Sequence, residues 1–301
     1  MSIARMFLIL SVIMMSLSSI HAAQPSSGLR AFVSILPQKD IVERLGKELV
    51  EVEVLVGPGQ SPGTYEPTPR QMASIAGADL YFCIGVPFEK VFVKRLPKIA
   101  KGLEIIDTGA NIQHMYLDHV DKPNPKQDHN HGRGVHDPHI WLDPKRVMIQ
   151  AETICRALSR NDPSHSAEYK ENLDVFIRDL ARLDNEIMDM LTPFKGDKIY
   201  VFHPAFGYFA HSYGLIQVPV EIEGKEPSAM QLTRLIERAK AEGIGVIFVQ
   251  PQFSGKNAAA IAQAINGSVV QIDPLPSEYI AGMRRMASII ADCLQKKKSD
   301  R

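Results

Sequence analysis

The chain has 301 residues, 34 Lys+Arg against 34 Asp+Glu, 45% hydrophobic and 23% charged residues. These are the values of an ordinary globular protein, and they exclude a disordered, collagen-like or small disulfide-stapled chain; about 300 residues suffices for two compact units or one large one. A formal net charge of +0 supplies no general field for nucleic acid or an anionic membrane, leaving room only for a small local patch.

The N-terminus differs from the rest. Arg5 precedes the apolar run from Met6 to Met15, followed by Ser-rich residues and Ile20-His21-Ala22-Ala23. A short basic region, a short apolar region and a small-residue exit predict a secretory signal peptide over 1–23. The run is interrupted well short of the roughly 20 apolar residues that a membrane anchor needs. The mature chain then starts near Ala23 or Gln24, carries a net charge of −1 and is expected in the periplasm with no inserted segment. No cysteine marks a lipid attachment site. Cys83, Cys155 and Cys293 form an odd set without metal-type spacing; Cys83, in an apolar stretch, is expected to be a buried thiol, and a bridge between two of the three stays open.

Two blocks of short apolar runs alternate with helical patterns. The first offers strands at 31–36, 50–56, 80–84 and 103–106, with helices near 39–45, 69–76 and 87–96. The second offers strands at 198–202, 217–220, 246–249 and 269–272, with helices near 229–241 and 257–265. Regular alternation of this kind implies parallel sheets with helices on both faces. Thr68-Pro69-Arg70-Gln71 and Ser228-Ala229-Met230-Gln231 are capping-box patterns, and Asp143-Pro144 opens a helix running to about Leu158.

After the break at Asn161-Asp162-Pro163-Ser164, the residues Tyr169, Leu173, Phe176, Leu180, Leu183, Ile187 and Leu191 recur at three- and four-residue steps. A helix of roughly 28 residues, about 42 Å long, follows, with Lys170, Asp174, Arg178 and Asp189 on its wet face. The expected organisation is a first α/β lobe over 24–160, a linking helix over 161–194 and a second α/β lobe over 195–301. The fold class is α/β, two lobes each with a four-stranded, mainly parallel sheet flanked by helices.

His114, His119, His129, His131, His136 and His139 fall between Asn111 and Trp141 among turn formers and charges, so the His-rich stretch 111–138 reads as a loop. Neutral imidazole suits zinc, copper and nickel; the loop either collects such ions weakly or is simply solvated. Three further residues hold stronger positions. His203 directly follows one strand and Asp273 another, where open α/β sheets bind ligands; His139 sits just before the Asp143 helix. Two imidazoles and a carboxylate suit Zn²⁺, although each residue taken singly is better explained by a structural role than by ligation.

Taken together, the motifs resemble the zinc-type periplasmic solute-binding proteins of ABC importers (cluster A-I), over nearly the whole mature chain. The resemblance is carried by Tyr65-Glu66-Pro67-Thr68-Pro69, by Asp137-Pro138-His139-Ile140-Trp141-Leu142-Asp143-Pro144 and by His203-Pro204-Ala205-Phe206-Gly207-Tyr208-Phe209. Phe248-Val249-Gln250-Pro251-Gln252-Phe253 and Asp273-Pro274-Leu275 complete the set. It implies two lobes joined by one long helix, an ion held between them by His139, His203 and Asp273, delivery to an ABC transporter permease, and a monomer. Adhesion-related proteins belong to the same wider group. Manganese-type relatives have a carboxylate where this chain has His203, which ranks Zn²⁺ above Mn²⁺.

One position departs from the pattern. The histidine that usually stands two residues before Tyr-Glu-Pro is Gly63 here. Water, a loop histidine (His136 foremost) or part of a chelated metal could complete the set. The rival reading is a zinc hydrolase, with three ligands around an activated water and Glu66 as its base. The chain lacks His-Glu-x-x-His and any nucleophile-elbow motif, so binding without catalysis is the expectation.

Overall fold

The computed structural model describes residues 28–116, 136–221, 228–253 and 256–299. The predicted signal peptide and most of the His-rich loop lie outside them.

Two four-stranded sheets form, every neighbouring pair parallel. The first contains β1 (Leu29–Val33), β2 (Val50–Val54), β3 (Leu80–Cys83) and β4 (Glu104–Asp107) in the order β2-β1-β3-β4. The second repeats that order with β5 (Lys198–Val201), β6 (Ile216–Pro219), β7 (Val246–Val249) and β8 (Ser268–Gln271), as β6-β5-β7-β8. In both sheets the winding reverses beside the first strand, so a crevice opens between the carboxyl ends of β1 and β3, and of β5 and β7.

The helices of the first lobe are α1 (Leu36–Gly46), α2 (Pro69–Ile75), α3 (Glu89–Ile99) and α4 (Pro144–Asn161). Helix α1 begins three residues earlier than the pattern suggested. Pro37 supplies the reason: in the first turn its missing N–H costs nothing. Both capping boxes are present, Thr68 with Gln71 and Ser228 with Gln231, and Asp143 caps α4 through the amide of Lys145.

The long helix α5 (Ser166–Leu191) buries Tyr169, Phe176, Leu180, Leu183, Ile187 and Leu191 and leaves Lys170, Asp174, Arg178 and Asp189 exposed. The second lobe adds α6 (Gly207–Tyr213), α7 (Ala229–Ala241), α8 (Lys256–Ala264) and α9 (Tyr279–Ser299). Helix α5 packs on α1 and α4 of the first lobe and on α6 and α9 of the second. One continuous apolar core therefore runs through both lobes, from Val33 and Phe82 through Leu180 to Phe206 and Ile290. Cys83, Cys155 and Cys293 are all unbridged, and Cys83 is buried as expected.

Candidate metal centre

His203 and Asp273 stand just past the carboxyl ends of β5 and β8, and the first of these lies at the crevice of the second sheet. Gln250, at the end of β7, holds the His203 backbone from both sides. Its Oε1 accepts from the His203 amide at 3.1 Å and its Nε2 donates to the His203 carbonyl at 2.8 Å. The ring of Phe253 stacks on the imidazole, with centroids 4.8 Å apart and planes at 24°.

The corresponding crevice of the first sheet is filled by protein. Buried Glu89 accepts from the amides of Ile84 and Gly85 and from the hydroxyl of Ser34, which also bonds Tyr81. Burial pushes the Glu89 carboxyl up to about 7 against the pull of those donors. The first lobe instead contributes His139, from the segment that follows the His-rich loop, ahead of the short helix Ile140–Leu142.

The structure brings His139 and His203 together across the lobes. Their ring centroids lie 5.3 Å apart at an interplanar angle of 74°, and both side chains are largely buried. Each imidazole is held by a carboxylate. His139 Nδ1 lies 2.6 Å from Asp137 Oδ1, and His203 Nδ1 lies 2.7 Å from Glu221 Oε2. A carboxylate on Nδ1 places the proton there, so both rings turn the Nε2 lone pair outward. This is the arrangement in which an outer carboxylate fixes the tautomer and orientation of a metal-ligating histidine. Burial lowers the His203 pKa below its ordinary value of 6.5, opposed by the hydrogen bond it donates to Glu221 and reinforced by neighbouring His139.

Asp137 is locked in turn. Its Oδ1 also accepts from the His139 amide at 2.9 Å, and its carbonyl accepts from Tyr208 at 3.1 Å. Gly207 is required beside it: a Cβ there would sit 2.6 Å from Asp137 Oδ2. Helix α6 thus seats its first turn directly on the His139 segment.

Asp273 is exposed, and its Oδ1 accepts from Gln252 Nε2 and from the Leu275 amide, both at 2.9 Å. Its Oδ2 takes no hydrogen bond among the described residues. The adjoining Pro274 carbonyl accepts from the indole of Trp141, which ties the Asp273 turn to the His139 segment. No set of three or more His, Cys, Asp or Glu side chains closes to metal-holding distance among the described residues.

His136 is exposed and paired with Tyr116 in an antiparallel bridge at the neck of the His-rich loop. Its ring neighbours are Tyr116, at 4.8 Å, and His114, at 5.3 Å; none of the ring contacts of His139 or His203 is with it. Gly63 lies exposed in the turn before α2, with only Ser61 Oγ within 4 Å of an added Cβ, at 3.5 Å. Glu66 is exposed.

Sequence reasoning missed Glu221 and the role of Gln250. The signal was there for Glu221: β5 and β6 pair in parallel with Val201 opposite Pro219. Two residues further on, the same register sets His203 opposite Glu221.

Residues 32–293 match the family model described as "ZnuA: Zinc-uptake complex component A periplasmic". The chain belongs to this zinc-uptake family. The high-affinity zinc uptake system protein ZnuA of Brucella suis biovar 1 is 26% identical over 306 residues, covering 88% of this chain and 91% of its own length. The zinc-binding protein AdcA of Streptococcus pyogenes serotype M3 is 28% identical over 75% of this chain and 46% of its own. A crystal structure of ZnuA superimposes with a TM-score of 0.81 at 37% identity, covering 88% of this chain and 98% of that one. A zinc-bound deletion mutant of ZnuA superimposes with a TM-score of 0.79, also at 37% identity. The fold is shared more widely, with the laminin-binding protein of Streptococcus agalactiae at a TM-score of 0.77 and 22% identity. The family is one of periplasmic solute-binding components.

Proposed function

We infer that this protein is a periplasmic zinc receptor that captures Zn²⁺ between its two lobes and hands it to an ABC permease, with His139, His203 and Asp273 as the ligands. The observation that carries the reading is the pairing of His139 and His203 across the lobes, each with its Nδ1 held by its own carboxylate. Two imidazoles with outward Nε2 lone pairs make a nitrogen-rich site, which favours zinc over manganese. The donors come from opposite lobes, so one ion can cross-link them, and that is the action of a capture-and-release protein. Trp141 and Gln250 are backbone clamps that aim the donors.

The segment 1–23 acts as the export signal, the mature chain works as a monomer, and the position at Gly63 is filled by water. Among the described residues no helix is long and apolar enough to cross a membrane. Isothermal titration of the metal-free mature protein with zinc tests the ligand set. His139→Ala, His203→Ala and Asp273→Ala should each weaken binding at least 100-fold, on the order of 3 kcal/mol at 1.4 kcal/mol per tenfold. Wild-type affinity in any of them removes that residue from the set.

A further inference from the structure

One short turn touches both ligands that the second lobe contributes. After β7, Gln250 clamps the His203 backbone, Phe253 stacks on its ring, and Gln252, between them, reaches Asp273. The first contact fixes the His203 backbone and the second packs on its ring; the third is a hydrogen bond to a carboxylate oxygen of Asp273 itself.

We propose that Gln252 is a positioning residue that makes Asp273 a one-oxygen ligand and thereby biases the site toward zinc. The proposal rests on the reading of Asp273 as a ligand. A carboxylate oxygen has two in-plane lone pairs, and Asp273 Oδ1 already accepts two hydrogen bonds, from Gln252 Nε2 and from the Leu275 amide. That oxygen is saturated, and Oδ2 alone is left to coordinate. Zinc favours four ligands at short distance, about 2.0–2.2 Å for oxygen. Manganese suits carboxylate and water sets in octahedral geometry, where a two-oxygen carboxylate helps to fill the shell. Occupying Oδ1 with an amide donor therefore penalises manganese more than zinc.

The amide also faces the other way. With Nε2 committed to Asp273, Gln252 Oε1 is buried and has no hydrogen-bond partner among the described residues. A buried acceptor left so costs about 1–3 kcal/mol.

The test titrates the metal-free mature protein with Zn²⁺ and with Mn²⁺ and records the visible spectrum of the Co²⁺-loaded form. Gln252→Leu removes donor and acceptor; Gln252→Glu keeps the size but sets a second carboxylate against Oδ1. Both variants should lose zinc affinity about 10–100-fold, the size of effect seen when a ligand's outer partner is removed. Manganese affinity should hold or rise, and the intense tetrahedral cobalt bands should weaken as coordination expands. Thermal melting of the metal-free variants checks folding; if the leucine variant does not fold, the glutamate variant decides. A wild-type zinc-to-manganese ratio and cobalt spectrum in the variants overturns the proposal. So does an equal loss of both metals with an unchanged spectrum, the mark of a plain structural tie. If Asp273→Ala binds zinc like the wild type, the ligand assignment itself has failed and the proposal with it. If Asp273→Ala is weak while the Gln252 variants are normal, only the proposal fails.

Discussion

The indole Nε1–H of Trp141 donates to the carbonyl of Pro274 at 2.6 Å, across 133 residues of sequence. The Trp141 carbonyl then accepts from the hydroxyl of Tyr279 at 2.8 Å. Tyr279 begins α9, and its own amide donates to Asp40 of α1 at 3.0 Å. The turn carrying Asp273 leaves the second sheet but is fastened to the first lobe at three points, so Asp273 is placed by contacts from both lobes. Trp141→Phe keeps an aromatic ring at a fully buried site but removes one buried hydrogen bond and part of the packed volume. The expected cost is at least about 1–3 kcal/mol of stability, with a loss of zinc affinity larger than any loss in a surface control such as Val91→Ala on the exposed face of α3. Denaturant unfolding and zinc titration of the same samples check this.

The carboxylates behind the two histidines should matter nearly as much as the ligands. Asp137→Asn and Glu221→Gln keep size and hydrogen bonding but remove the charge that fixes the Nδ1 proton. Each is expected to weaken zinc binding about 10–100-fold while the metal-free melting temperature moves only a few degrees. Calorimetry reads the first quantity and a thermal melt the second; unchanged affinity in both variants would show that the imidazoles are oriented by something else.

Two buried groups set the pH response with opposite signs. His203 is held neutral by burial, its pKa lowered from 6.5. The unfolded chain therefore binds the extra proton first, and metal-free stability falls as pH drops below about 6.5. Zinc requires the neutral imidazole, so zinc affinity should fall in the same direction. Glu89 is raised from 4.5 to about 7, so the folded state holds the proton, and that contribution is lost as pH rises from about 5 through 7. The stability advantage of the wild type over Glu89→Gln should therefore shrink between about pH 5 and pH 8. Urea unfolding across that range checks it, and a difference independent of pH would contradict it.

Gly63→His places an imidazole at an exposed position that has room for it. If water completes the wild-type site, this variant should bind zinc at least tenfold more tightly by competition with a chelating dye. Weaker binding would mean that the open position serves a larger ligand.

Much of this was legible in the sequence, for identifiable reasons. Val246-Ile247-Phe248-Val249 is a strand in any context that buries both faces, and the Thr68, Asp143 and Ser228 caps announce their helices locally. The places of His203 and Asp273 just past strand ends were legible because strand ends are marked by the strands themselves. Helix α6 was not anticipated: seven residues from Gly207 to Tyr213, with no side-chain cap, carry too little periodicity. Its one local signal is Gly214, which closes it in the left-handed conformation at φ 74°. Glu221 and Trp141 act across the fold. Their partners, His203 and Pro274, are 18 and 133 residues away, so only the strand register and the crossing of the Asp273 turn to the first lobe reveal them.

The most direct test is a zinc-edge anomalous difference map from crystals of the mature protein grown with zinc. A single strong peak should lie between the lobes, about 2.0–2.2 Å from His139 Nε2, His203 Nε2 and Asp273 Oδ2, the usual zinc bond lengths. A peak elsewhere, or one bonded through Nδ1 with Asp137 and Glu221 displaced, would contradict the account.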